Sequence, residues 1–342
     1  MRRPVVAALL AIAAACTSDR SGSSAAVPVA DSASAAASTT ASAPTEHGVL
    51  FASNEGDNTL SVVDAATDSV VGTVQVGNRP RGMAVSPDGK TLYVALGRDN
   101  AVGVVDVATR TMTDKIPCGT DPEQVAISLD GTTLYVSNEE IAMATAIDVA
   151  NKKTIFTVPV GKEPEGVLVT PDGQKLYVTN ESSSTVTVID AKSGRQRAQF
   201  PVGARPRFVV FARDGSKAVV TSEQGGSITV VDLPRDAPLK TVPVGDSTKP
   251  TGVALSHDGM TAYFANGRAN RVSIFSIAAM MVTDTIPVGQ RPWGVALTSD
   301  GNVLYTADGR SNQLSVVDVI HKRVVRTIKV GERPYGVAIV GG

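Results

Sequence analysis

Charged residues recur in this chain in two columns, spaced about 42 residues apart. One flanks a repeated proline and reads Arg79/Arg81, Asp121/Glu123, Glu163/Glu165, Arg205/Arg207, Lys249/Thr251, Arg291/Trp293 and Arg333/Tyr335. The other reads Asn54/Glu55, Arg98, Asn138/Glu139/Glu140, Asn180/Glu181, Glu223, Asn266/Arg268 and Asp308/Arg310. If one concave face gathers both, it carries both signs of charge with Trp293 and Tyr335 beside them. Such a face suits an anionic ligand or a patterned protein surface. Glu139, Glu181 and Glu223 come from three consecutive units, and Arg207 could polarise a carbonyl between them, which is a hydrolytic constellation. The bland alternative is that opposite charges pair across neighbouring units and serve solubility alone.

Other chemistry is thinly represented. The three histidines are His47, His257 and His321, the first preceding the first strand and the others in turns. No C-x-x-C-H motif is present, so covalent haem is not expected, and neither a metal nor a cofactor is expected. Cys118 stands where other units have valine and reads as a small buried thiol. Lys plus Arg total 32 against 33 Asp plus Glu, and aromatics are 4% of the chain. That balance argues against nucleic-acid binding, which needs a basic field and stacking side chains.

The elements that must position these columns follow from a repeat. A motif, mostly V-G-x-x-P, places its glycine at Gly77, Gly119, Gly161, Gly203, Gly245, Gly289 and Gly331. Asp-Gly pairs keep the same beat from Asp88-Gly89 to Asp300-Gly301. Each unit reads as four short strands, as in GMAVS (82–86), TLYVA (91–95), AVGVVD (101–106) and a strand ending near Ile116. Alternating apolar and β-branched residues suit pleated strands, and S-P-D-G supplies a tight turn. Four strands in each forty-odd residues predict an all-β, four-stranded antiparallel β-propeller.

The ends set the blade number. Six full units run from about Asn78 to Gly331, 49–77 supplies three strands, and 336–340 supplies one. Seven blades are expected over 47–342, with the C-terminal strand pairing the N-terminal one to close the ring. Pro117, Pro159, Pro201, Pro243 and Pro287 fall on the predicted outermost strands, where a missing N–H blunts an open edge.

The amino-terminal segment has its own reading. Met1-Arg2-Arg3 precedes an apolar run, 4–15, that is too short to span a bilayer and ends Ala13-Ala14-Ala15-Cys16. Residues 1–16 are expected to act as a lipoprotein-type signal peptide with Cys16 acylated, although Ala13 stands where such boxes usually carry leucine. Residues 17–46 are mostly Ala, Ser and Thr and predict a disordered tether, with a reach of about 30 Å. The expected location is the periplasmic face of a bacterial membrane, held by the lipid anchor.

LYVSN (134–138), LYVTN (176–180) and the recurring S-V-V-D (61–64, 315–318) resemble the YVTN-type β-propeller repeat family over essentially all of 48–342. The unit-specific stretches SNEGDNTLSVVD (53–64), DPEQVA (121–126), SEQGGSITVVD (222–232) and GQRPWG (289–294) are similar to seven-bladed propellers associated with pyrroloquinoline-quinone-dependent alcohol catabolism. That resemblance implies a periplasmic protein with no assigned enzymatic activity, accessory to quinoprotein dehydrogenases. The chain departs from those propellers in its anchor and in 246–249, two residues longer than its counterparts. A monomer is expected that binds an exported protein partner or a small ligand at the mouth, through Arg79, Arg81, Glu123, Glu139, Glu165, Glu181, Arg205, Arg207, Glu223, Arg291, Trp293, Arg333 and Tyr335. The alternative is lactonase-like hydrolysis by the mouth carboxylates, since some propellers open lactones.

Overall fold

The computed structural model describes residues 48–341 except Asp246. His47, Cys16, the proposed signal peptide and the tether lie outside the described residues. The chain forms a seven-bladed propeller of four-stranded antiparallel sheets. We number the blades by their innermost strands: Pro80–Val85, Pro122–Ile127, Pro164–Val169, Pro206–Phe211, Pro250–Leu255, Pro292–Leu297 and Pro334–Val340 for blades 1 to 7. Blade 7 is completed by Val49–Asn54, Thr59–Asp64 and Ser69–Gln75. The C-terminal strand pairs Val49 with Val340 and Phe51 with Ala338, which closes the ring as the sequence predicts. Among the described residues the one helical piece is a 3-10 turn, Gly97–Asp99.

Strand burial follows the period of two expected from pleated sheets only at the rim. The second and third strands are buried except at their ends, as in KLYVTN and TVTVID of blade 3, because both faces of each blade pack on neighbours. The outer strands alternate, as in TMTDKIP, where Ile116 alone is buried. Seven apolar clusters fill the seven inter-blade spaces. Leu92, Val94 and Leu96 of blade 1 pack with Phe51, Leu60 and Val62 of blade 7, and Tyr177 and Val186 of blade 3 pack with Val220 and Val231 of blade 4. Cys118 is buried in the cluster between blades 1 and 2, and burial pushes its thiol up to about 12.

The inner strands approach so closely that a side chain is excluded at several points. A Cβ on Gly252 would lie 2.4 Å from the Trp293 carbonyl oxygen, and one on Gly294 2.6 Å from that of Tyr335. The Asp-Gly pairs form hairpin turns, with Gly89, Gly131, Gly173 and Gly215 at positive φ, where glycine has no steric penalty. The hairpin aspartates are turn-forming groups. Asp130, for instance, is held down to about 2 by its hydrogen bonds from Ser128 and Thr132.

Candidate functional site: the charged mouth

The residue before each repeated proline adopts a left-handed conformation in all seven blades: Arg79, Asp121, Glu163, Arg205, Lys249, Arg291 and Arg333 have φ between 48° and 59°. Its carbonyl accepts the amide of the residue that follows the second strand, as in Gly97 N to Arg79 O (3.0 Å) and Glu223 N to Arg205 O (2.8 Å). Asparagines on the hairpin of the preceding blade clamp the same neck. Asn58, Asn100, Asn270 and Asn312 accept the amides of Arg79, Asp121, Arg291 and Arg333 through their side-chain oxygens. The two columns of the sequence are therefore joined by backbone bonds at one end of the channel.

A third feature fixes the inner column. Ser53, Ser137 and Thr179, on second strands, donate their hydroxyls to the carbonyls of Arg81, Glu165 and Arg207 in the next blade. Each functional side chain is thus carried on a backbone pinned from its neighbour. Only Thr251 departs from charged or aromatic character in the inner column, and its hydroxyl reaches the Trp293 carbonyl at 3.1 Å.

The charges form two ionic knots. In the first, Arg81 holds Glu123 at 2.5 Å through Nη2, while Arg79 reaches Glu123 at 2.9 Å and also Asp121. In the second, the Arg207 guanidinium contacts Glu165, Glu181 (2.7 Å) and Glu223 (2.8 Å) together, and Arg205 adds a contact to Glu181. Arg207 is only 5% exposed, so these are desolvated contacts. The bland reading of the sequence, charge pairing across blades, therefore holds for Arg79, Arg81, Glu123, Glu165, Glu181, Arg205, Arg207 and Glu223.

The knots contain more carboxylates than their arginines neutralise, and the surplus appears as displaced acidities. Burial, reinforced by a hydrogen bond that the protonated Glu181 carboxyl donates to Glu165, pushes Glu181 up to about 8. Burial and the nearby Glu165 raise Glu123 well above the ordinary glutamate range. Glu165 is lowered in spite of its burial, because Arg207 and Arg81 face it. Asp121, Glu123 and Glu139 can bring carboxylate oxygens within 4.8 Å of one another. Arg79 already bridges the first two.

Aromatic rings floor the mouth. Trp293 and Tyr335 lie 5.5 Å apart, and Phe208 stands 6.5 Å from Tyr335. Arg81 caps Tyr335 at 4.3 Å, and Arg291 caps Trp293 at 4.5 Å. Tyr335 is buried, which corrects the expectation that it lines the accessible rim beside Trp293. It plugs the channel beneath the arginines. Sequence reasoning also missed Phe208; its signal was a bulky side chain in a column that holds glycine in five blades (Gly82, Gly166, Gly252, Gly294, Gly336).

A second correction concerns the loop column. Asn54, Asn138, Asn180, Asn266 and Asp308 are fully buried and do not open on the mouth. They turn into their own blades, as when Asn180 Nδ2 donates to Thr185 and Thr187. The residue that follows each of them faces the mouth: Glu139, Glu181 and Glu223 in blades 2 to 4 and Glu55 in blade 7, but Gly97, Gly267 and Gly309 in blades 1, 5 and 6. Each of those glycines precedes an arginine: Arg98, Arg268 or Arg310. All three arginines are exposed, and among the described residues none has an ion-pair partner. Arg291 and Arg333 on the same side share Glu223 (3.1 Å) and Glu55 (3.3 Å) with other groups.

The mouth is thus divided. Blades 2 to 4 are filled by glutamates and their arginines. Blades 5 to 7 leave a recess of about 600 Å³ lined by Trp293, Arg81, Arg291, Arg310, Arg333 and one carboxylate, Glu55, with a neighbouring hollow of about 310 Å³ at Arg268. His257 and His321 are exposed in turns, as the sequence predicts.

These features place the protein among seven-bladed β-propellers. The family model described as "Lactonase, 7-bladed beta-propeller" matches residues 190–327, a minority of the chain. The hydrazine synthase of Kuenenia stuttgartiensis superposes with a TM-score of 0.72 at 24% identity, over 81% of this chain and 94% of that one. A Lactobacillus plantarum protein gives 0.74 at 19% identity, over 86% and 99%. Likeness at that identity establishes the fold alone. A PE-PGRS family protein of Mycobacterium tuberculosis is 48% identical over 40 residues, which is 12% of this chain and 9% of that protein.

Proposed function

We propose that the protein is an exported, lipid-anchored binding propeller that recognises a partner at its charged mouth, as an accessory of quinoprotein alcohol catabolism. The observation that carries the binding reading is the division of the mouth. One half pairs its arginines with buried glutamates, while the other presents Arg268 and Arg310, which have no acidic partner among the described residues, around the Trp293 ring. Unneutralised, pre-positioned charge at a concave surface has little structural use and is what recognition requires. The quinoprotein context rests on the unit-specific stretches such as SEQGGSITVVD and GQRPWG, and the anchor rests on Cys16.

The test is capture of envelope proteins by the full chain and by its Arg268→Glu/Arg310→Glu variant, compared by mass spectrometry. A quinoprotein dehydrogenase or its cytochrome should be retained by the wild type alone and released by salt. Equal recoveries from both would overturn the protein-partner reading.

A second reading, lactone hydrolysis, is favoured by the family-model match over 190–327. Glu181, pushed up to about 8, is a carboxyl able to give or take a proton near neutrality. Arg207 fits this reading less well, because three glutamates already occupy its donors. Turnover of small lactones that vanishes in Glu181→Gln would establish it.

A further inference from the structure

We propose that the recess over blades 5 to 7 is a site for a compact polyanion, an organic molecule or ion bearing two or more carboxylate or phosphate groups. The inference rests on the reading of the mouth as the recognition surface and adds the chemical class of what enters it.

The argument begins with one column. At the turn after the second strand, four blades project a glutamate into the mouth, and three carry glycine followed by arginine. Replacing Glu-x by Gly-Arg changes two things together: it removes a carboxylate and its volume from the mouth, and it sets a guanidinium at the rim. Neighbours close in on both glycines: a Cβ on Gly309 would lie 3.1 Å from Trp293 Cδ1, and one on Gly267 3.3 Å from the Pro292 carbonyl oxygen and 3.4 Å from Arg291 Nη1. Glycine at these places lets the Trp293 ring and the Arg291 side chain lie where they line the recess.

Charge then sets the class. Arg268 and Arg310 have no acidic partner among the described residues, and Arg291 depends on Glu223, which already serves Arg207 and Arg205. Arg333 has only Glu55, which also faces Arg79 and Arg81. The rim of the mouth at blades 5 to 7 therefore presents more guanidinium groups than carboxylates paired with them. Guanidinium forks match carboxylate and phosphate oxygens in pairs, so two or more such groups would satisfy this rim better than one. The recess volume of about 600 Å³ suits a molecule of small-metabolite size. Trp293 forms one wall and supplies apolar contact for the carbon or phosphorus skeleton between the charges.

Trp293 is also the single tryptophan of the chain, so its fluorescence reports on this recess alone. The full-length protein would be titrated with citrate and with pyrophosphate, against sodium chloride at equal ionic strength and glucose as a neutral control. A saturable change with citrate, pyrophosphate or both is expected, and saturation by only one narrows the class while supporting the site. In Arg268→Gln/Arg310→Gln, affinity should fall at least about tenfold; both side chains are exposed and have no ion-pair partner among the described residues, so folding should be unaffected, which thermal melting verifies. A change reproduced by chloride, or one equal in the double variant, would overturn the inference. Envelope capture that succeeds while no anion saturates would leave the recognition surface standing and remove only the polyanion. Saturation with empty capture would do the reverse for the protein partner.

Discussion

Arg207 is surrounded by Glu165, Glu181 and Glu223 in a setting from which water is almost absent. Removing one member of such a knot leaves like charges buried together, and that penalty exceeds the net worth of the knot itself. Arg207→Met is therefore expected to cost about 3–5 kcal/mol in denaturant unfolding, whereas Arg310→Met at the exposed rim should change stability by less than about 0.5 kcal/mol. The contrast separates the lattice from the recognition rim, and it makes Arg205 and Arg207 poor places to probe binding. Proton linkage adds a second expectation. Burial and Glu165 push Glu181 up to about 8, so between the ordinary glutamate value and about 8 the folded state holds a proton that the unfolded state has released. Stability must then fall as pH rises through that window. Melting temperature should decline from pH 6 to pH 9 in the wild type, and Glu181→Gln should flatten that slope. A slope unchanged by the substitution would place the titrating group elsewhere.

The element that places these groups is the second strand with its hairpin. Its hydroxyl column pins the neighbouring blade: Thr179 accepts the Gly166 amide at 2.8 Å and donates to the Arg207 carbonyl at 3.0 Å. Thr179→Val keeps the shape and removes both bonds, leaving a buried N–H and a buried C=O unpaired. A loss of about 1–3 kcal/mol is expected in equilibrium unfolding, with a shift of the Arg207 side chain visible in a crystal structure. The strands themselves were legible because apolar alternation, Asp-Gly turns and the 42-residue beat all point one way. The direction of a hairpin side chain was not. Asn180 and Glu181 are adjacent, polar and equally plausible at a mouth, yet Asn180 is consumed by Thr185 and Thr187 while Glu181 faces the channel. Only the register of the strand end decides between them, and a one-residue change of register reverses every side chain. Likewise the pairing of Arg81 with Glu123, both single residues in a column, depends on which blades are neighbours in space. The Gly-Arg pairs at 97, 267 and 309 were visible as text, but which part of the mouth they leave without a glutamate required the order of the blades.

At the scale of the molecule, one sheet holds the ring together. Blade 7 is built from the first and last described strands, with Val49 to Ser53 paired against Gly336 to Val340, and its inner strand and the residue before it supply Tyr335 and Arg333 to the mouth. Chain length explains why this was foreseeable: six complete units and two fragments leave no other partner for either fragment. Deleting residues 334–342 removes the innermost strand of one blade, exposes the edge of Val49–Asn54, and withdraws the Tyr335 ring from between Arg81 and Trp293. Unpaired edges of this kind template association, so the truncated chain is expected to elute as aggregate in size-exclusion chromatography. Loss of residues alone is not the cause, and a permuted chain shows why. The two ends meet, since the strand pairing ends at Val49 opposite Val340, so a short linker can join 341 to 48. New ends can be opened at the Asp214-Gly215 turn, where Gly215 has no neighbouring atoms within 4 Å of a Cβ position. That permutant keeps every strand pair and closes blade 7 covalently, so it should elute as a monomer and melt at or above the wild-type temperature. A permutant that aggregates like the truncation would mean that the order of strand synthesis, and not the closure of the ring, governs folding of this propeller.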